Sequence, residues 1–228
     1  MRFCAAIVTA AALAHPSTAA AAITATPLVS ADGSGRVTTQ AFSTSSPNEL
    51  LVVFAASDGP ISGGQTLTIG GAGLAWRLVR RANGQPGTSE IWTATAPAPL
   101  SNVAVSSTQS IGTYRQSVTV VSFTDAGGIG ASAAAGAPNG APAVSLTTTQ
   151  PGSFVIGVGN DWDHATPRSL GANQRMIHQT VDTTTGDTYW VQAIANAVPD
   201  AGTPVQLADT APTGDRWNFA AVEIVAGP

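Results

Sequence analysis

Along most of this chain apolar and polar residues alternate one by one. In 65–69, Leu67 and Ile69 point to one side and the threonines to the other; Val103 and Val105, Val144 and Leu146, and Val205 and Leu207 repeat the pattern in 102–106, 143–147 and 204–207. A period of two is the signature of a strand with one wet face. Three runs, 49–55, 118–123 and 154–158, are apolar on both faces. They read as central strands covered on both sides. Turn sequences separate the runs, among them Asp58-Gly-Pro60, Asn83-Gly-Gln-Pro-Gly87, Pro138-Asn-Gly140, Pro151-Gly152 and Thr185-Gly-Asp187. The pattern predicts roughly a dozen strands in an all-β, two-sheet antiparallel sandwich of the jelly-roll or Ig-like kind. No helical stripe is present and no internal repeat aligns. The Gly- and Ala-rich segment Ala126 to Ala141 reads as a long flexible loop, because its side chains can bury little.

The ends and the composition narrow this picture. Arg2 is the only charge before Asp32; an apolar run and small residues at A-x-A spacing follow it. That order predicts a secretory leader over 1–22 and a single sandwich domain over 23–228. The run is too short to span a bilayer, which takes about 20 residues. Cys4, the one cysteine, lies in the leader, so the mature chain is expected to hold neither a disulfide nor a cysteine-ligated metal. Every basic residue is an arginine; without Arg2, 8 of the 9 remain against 13 acidic residues. There is no basic stripe for nucleic acid and no basic amphipathic segment for a membrane surface. A secreted protein is expected, with no nucleic-acid partner and no membrane insertion.

The reactive side chains concentrate in Gly159-Asn-Asp-Trp-Asp-His-Ala165, at the end of a buried run. Asp161 and Asp163 alternate as oxygen ligands for calcium do, while His164 suits instead a transition metal or a general base. The same residues also suit an Asx turn in which the carboxylates cap their own backbone. Trp162, between two aspartates, is expected at the surface or folded back over the end of the sandwich; an exposed indole face offers a rigid platform for a sugar ring. In Asp187-Thr-Tyr-Trp-Val-Gln192, Trp190 shares a face with Thr188 and Gln192, which predicts an exposed or groove-lining ring beside Asp187. Trp76 and Trp217 keep apolar company and read as core, and His178 reads as structural. No G-x-S-x-G elbow is present.

The phrases NELLVVFAASDGP, VGNDWDHA, GDTYWVQ and DTAPTGDRWNFAAVEI, with the stretch GAGLAWRLVRRANGQPGTSEIWTATAPAPL, resemble a β-sandwich module of uncharacterised role. Such modules occur in large secreted bacterial proteins beside Ig-like and fibronectin-like domains. The resemblance implies a sandwich and an extracellular accessory role, and it transfers no catalytic residue. The reading that follows is a non-catalytic module for extracellular polysaccharide, with Trp162, Asp161, Asp163, His164, Asp187 and Trp190 as ligand-binding residues. The alternative is a structural or adhesive cell-surface protein that associates with itself. The most distant alternative is a copper-dependent polysaccharide monooxygenase. Cleavage after Ala14 would expose His15 as an N-terminal copper ligand, with His164 or His178 completing the site.

Overall fold

The structure is a computed structural model describing residues 21–227. All but the last two residues of the expected leader lie outside this range, as do Cys4 and His15. Sixteen strands and no helix are found among the described residues. In chain order they are β1 (Thr24–Ser34), β2 (Val37–Thr38), β3 (Glu49–Ser57), β4 (Leu67–Gly71), β5 (Arg77–Ala82), β6 (Thr88–Ala96), β7 (Val105–Gln109) and β8 (Arg115–Thr124). They continue as β9 (Ala126–Ala137), β10 (Ala143–Thr147), β11 (Phe154–Asp161), β12 (Ser169–Leu170), β13 (Gln174–Asp182), β14 (Asp187–Ile194), β15 (Pro204–Ala211) and β16 (Trp217–Ala226).

The all-β antiparallel sandwich holds, with a layering richer than two sheets. Two five-stranded sheets, β1-β8-β3-β6-β5 and β13-β14-β11-β16-β9, face each other. A three-stranded sheet covers the outside of each: β2-β7-β4 over the first, β10-β15-β12 over the second. This explains why the three doubly apolar runs are central strands. All nine residues of β3 are buried. Leu50, Val52, Phe54 and Ala56 enter the core between the large sheets, while Leu51, Val53 and Ala55 enter the smaller core under β2-β7-β4.

The layers contain a repeat that the sequence hides. Adding eight to every strand number of β1-β8-β3-β6-β5 and β2-β7-β4 gives the neighbours within the other two sheets. The strand overlay (β3 on β11, β1 beside β13, β5 beside β9) is that of an approximate two-fold between the halves. Local details repeat as well. Asn48 and Gly152, each after a proline, take φ of 58° and 72°. In one half Thr44 N donates to Leu100 O (3.0 Å) and Leu100 N to Thr44 Oγ1 (2.9 Å). In the other Thr148 and Thr203 exchange the same two bonds at 3.0 and 3.1 Å. Both fifth strands bulge at one place, between Leu78 and Arg80 and between Met176 and His178. The residue after each bulge closes a seam between the sheets. Arg80 Nη2 donates to Ser132 O (2.6 Å), and His178 Nε2 lies 3.2 Å from Asp32 Oδ1 and 3.1 Å from Thr180 Oγ1.

The expected loop over Ala126 to Ala141 is corrected. Its first twelve residues form β9, an edge strand paired to β16. Small side chains are what this strand requires. A Cβ on Gly130 would lie 2.2 Å from Glu223 Oε2, and one on Gly127 2.6 Å from Ala226 O. Glu223 is fully buried and accepts Ala131 N (2.7 Å), Thr149 N (2.7 Å), Gln150 N (3.3 Å), Thr149 Oγ1 (2.9 Å) and Ser153 Oγ (2.6 Å). In the first half the matching amides, Ser45 N and Ser46 N, are capped by Glu49 Oε1 at 3.0 and 2.7 Å. The two halves thus cap the same turn with carboxylates from different strands.

Candidate functional site

The ends of β3 and β11 lie together at one rim of the sandwich. A Cβ on Gly87 would meet both Asn160 Nδ2 (2.5 Å) and Ser57 O (2.6 Å), and Gly87 takes φ +84°, so glycine is required there. Beyond β11 the chain folds into the turn that carries Trp162. Asp161 Oδ1 accepts Asp163 N (2.8 Å) and His164 N (3.4 Å), an Asx turn, while Oδ2 is taken by the buried guanidinium of Arg168. Asp163 Oδ2 accepts Arg216 N (2.8 Å), Trp162 N donates to Arg216 O (3.2 Å), and His164 Nδ1 lies 2.9 Å from Asp215 Oδ1. The residues just before β16 therefore hold the turn from one side. From the other, Thr188 Oγ1 of β14 donates to His164 O (3.3 Å).

Trp162 is the one half-exposed ring of this rim. Its Nε1 donates to Gly59 O (3.2 Å), and the Arg216 guanidinium lies 5.5 Å from the ring centre. His164 is exposed beside it and Asp58 half-buried. The result is an amphipathic ring held at its N–H edge, with a guanidinium over one face and carboxylate and imidazole groups nearby.

Other expected site residues lie elsewhere in the fold. Trp190 is corrected from an exposed ring to a core side chain, 1% exposed. It faces the three-stranded sheet, meets Phe219 at 5.5 Å between centroids, and carries Arg168 4.7 Å from its ring centre. Room for it comes from Gly159 on the strand between, where a Cβ would lie 2.1 Å from the indole. Its polar neighbours Thr188 and Gln192 are themselves fully buried. Asp187 is also withdrawn from solvent, accepting Thr185 Oγ1 (2.6 Å) and Tyr189 Oη (3.0 Å) inside the β13–β14 hairpin. As for calcium, the Asp161 carboxylate is committed to Arg168 and to turn amides. Among the described residues no three His, Cys, Asp or Glu side chains gather as ligands. Trp217 is core, and Trp76 is half-buried against the smaller core.

Sequence reasoning did not pick out Asp58, Gly59, Asp215 or Arg216. Asp58-Gly-Pro60 carried only a turn signal, and Asp215-Arg216 stood next to a tryptophan read as core. Their one shared mark is that each lies within two residues of a strand end, where a sandwich assembles its rim.

The buried carboxylates set the pH response. Burial, then the Asp187 charge, pushes Asp58 up to about 7 against the pull of Gly59 N–H and Trp162. Burial likewise raises Asp209 to about 7 despite Arg168 and Gln192. Burial acts on Asp182 too, but the Thr184 bonds and Arg115 outweigh it and hold that group down to about 2. Asp58 and Asp209 keep protons in the folded state that the unfolded chain, at about 3.9, has released. Their contribution is full below about pH 4 and is lost as pH rises through about 7. Asp182 works in the opposite sense, contributing above about pH 4 and losing that contribution as pH falls toward 2. The melting temperature is therefore expected to peak near about pH 4–5 and to fall toward about pH 8. A scanning-calorimetry series that finds the protein as stable at pH 8 as at pH 5 contradicts this assignment.

No known protein family, curated protein or solved structure matches the chain. No helix among the described residues is long and apolar enough to cross a membrane.

Proposed function

We propose that this protein is a secreted, non-catalytic module that binds extracellular polysaccharide through the rim around Trp162. The observation that carries the reading is the half-exposed indole, fixed by Gly59 O and Arg216 and bordered by Asp58, His164 and Asp163. A held ring loses little entropy on stacking, and neighbouring groups that donate and accept hydrogen bonds suit sugar hydroxyls. The leader-like N-terminus and the resemblance to secreted sandwich modules support the extracellular setting.

Affinity electrophoresis against a panel of polysaccharides tests the proposal. At least one polymer should retain the protein. Trp162→Ala should weaken retention about tenfold, near 1.4 kcal/mol, with the melting temperature little changed because the ring is a rim residue. If no polymer is retained, or Trp162→Ala is retained like the parent, the reading fails. Light scattering on the same samples separates it from the adhesive alternative, which requires self-association.

A further inference from the structure

The two halves act as controls for each other, and they differ at the mouth between their large and small sheets. In the first half the β4–β5 connection, 72–76, is five residues long and ends in Trp76. Leu74 and Trp76 fold into that mouth against the smaller core, and Trp76 Nε1 donates to Gly71 O (3.1 Å). In the second half the β12–β13 connection, 171–173, has only three residues. Counting back from the shared bulge, Gln174 stands where Trp76 does and Ala172 where Leu74 does. Gln174 is drawn inward: its Oε1 accepts Gln192 Nε2 (2.7 Å) and Ala208 N (3.1 Å).

The place of the indole is left open. A cleft of about 440 Å³ lies there, floored by Ile194, Val198 and Val205 and edged by Ala172, Gln174 and Asn196. Ile194 stands where the first half has Ala94 and fills part of the space, but not all of it. No charged side chain lines the cleft, and its volume is in the range that takes small ligands.

We propose that this cleft binds a planar aromatic ligand carrying an N–H or O–H donor, an indole or a phenol, in the position that Trp76 occupies in the other half. The aliphatic floor takes the ring. The donor is assigned to the carbonyl of Asn173, a residue of the cleft lining at the opposite end of the connection from the Gly71 carbonyl that Trp76 uses. The Asn173 carbonyl accepts one bond from Ala195 N (2.8 Å) and has a lone pair to spare. The site is separate from the Trp162 rim and does not depend on the glycan reading.

Indole titrated into the isotope-labelled full chain and followed by NMR is the test. Saturable shifts are expected at Ile194, Val198 and Val205, with one site per chain. The double variant Ala172→Leu/Gln174→Trp rebuilds the plug and should abolish those shifts. The reverse variant, Leu74→Ala/Trp76→Gln, should open a second site and raise the stoichiometry to two. A parallel titration with N-acetyl-tryptophanamide distinguishes the sources. Tighter binding than indole points to a partner's tryptophan side chain, weaker binding to a free small molecule. No saturable shift at the solubility limit of indole overturns the proposal. So do shifts that map away from the cleft, or shifts that persist in a folded Ala172→Leu/Gln174→Trp protein.

Discussion

Trp190→Ala is expected to lower the folding free energy by about 3–5 kcal/mol, the cost of emptying a large aromatic site in a core. The indole is 1% exposed, and its row of the sheet is built around it, with Gly159 beneath and Phe219 beyond. An alanine would leave a cavity that Phe219 and the Arg168 stem cannot close, and would strip the stacking surface from a buried guanidinium. Urea denaturation measures the effect, with Trp162→Ala, at the rim, as the near-neutral comparison. A Trp190→Ala protein with unchanged midpoint but impaired glycan retention would restore the groove-lining role for this ring.

Glu223→Ala should cost about 3 kcal/mol or more, because it leaves several buried donors unpaired at once and each costs about 1–3 kcal/mol. Ala131 N, Thr149 N and Gln150 N lose their acceptor together with two hydroxyls. The loss is expected to spread, since these amides tie β9 and the turn before β11 to β16. Glu223→Gln keeps one carbonyl oxygen and should be milder. Hydrogen exchange supplies the local readout: the three amides should be protected in the parent and exchange faster in both variants. Unchanged protection would mean that the strand pairing, and not the carboxylate, holds this corner.

The halves cap the same turn with Glu49 in one case and Glu223 in the other, and this bears on why the repeat was invisible. Across 45–50 and 149–154 only Pro47 and Pro151 coincide. What is shared is a left-handed residue after the proline and two capped amides, and different side chains supply these. Topology repeats here through backbone geometry, which many sequences satisfy.

Period-two alternation, the doubly apolar runs and the turn residues were enough to determine an all-β antiparallel sandwich and its central strands. They report burial, which acts on each strand locally. The position of the Trp162 turn at the end of a buried strand was legible for the same reason. Whether a side chain in a strand faces solvent or a second layer was not. Trp190, Thr188 and Gln192 look like a wet face, yet a three-stranded sheet covers them, and pairing among buried polar groups leaves no mark in the periodicity. Likewise β9 reads as a loop because glycine and alanine bury little, while its pairing to β16 and the approach of Glu223 require side chains that small. The tertiary structure alone decided the four layers, the two-fold relation of the halves and the membership of the rim. Each of these depends on which distant segments meet, and a chain's local pattern carries that information only weakly.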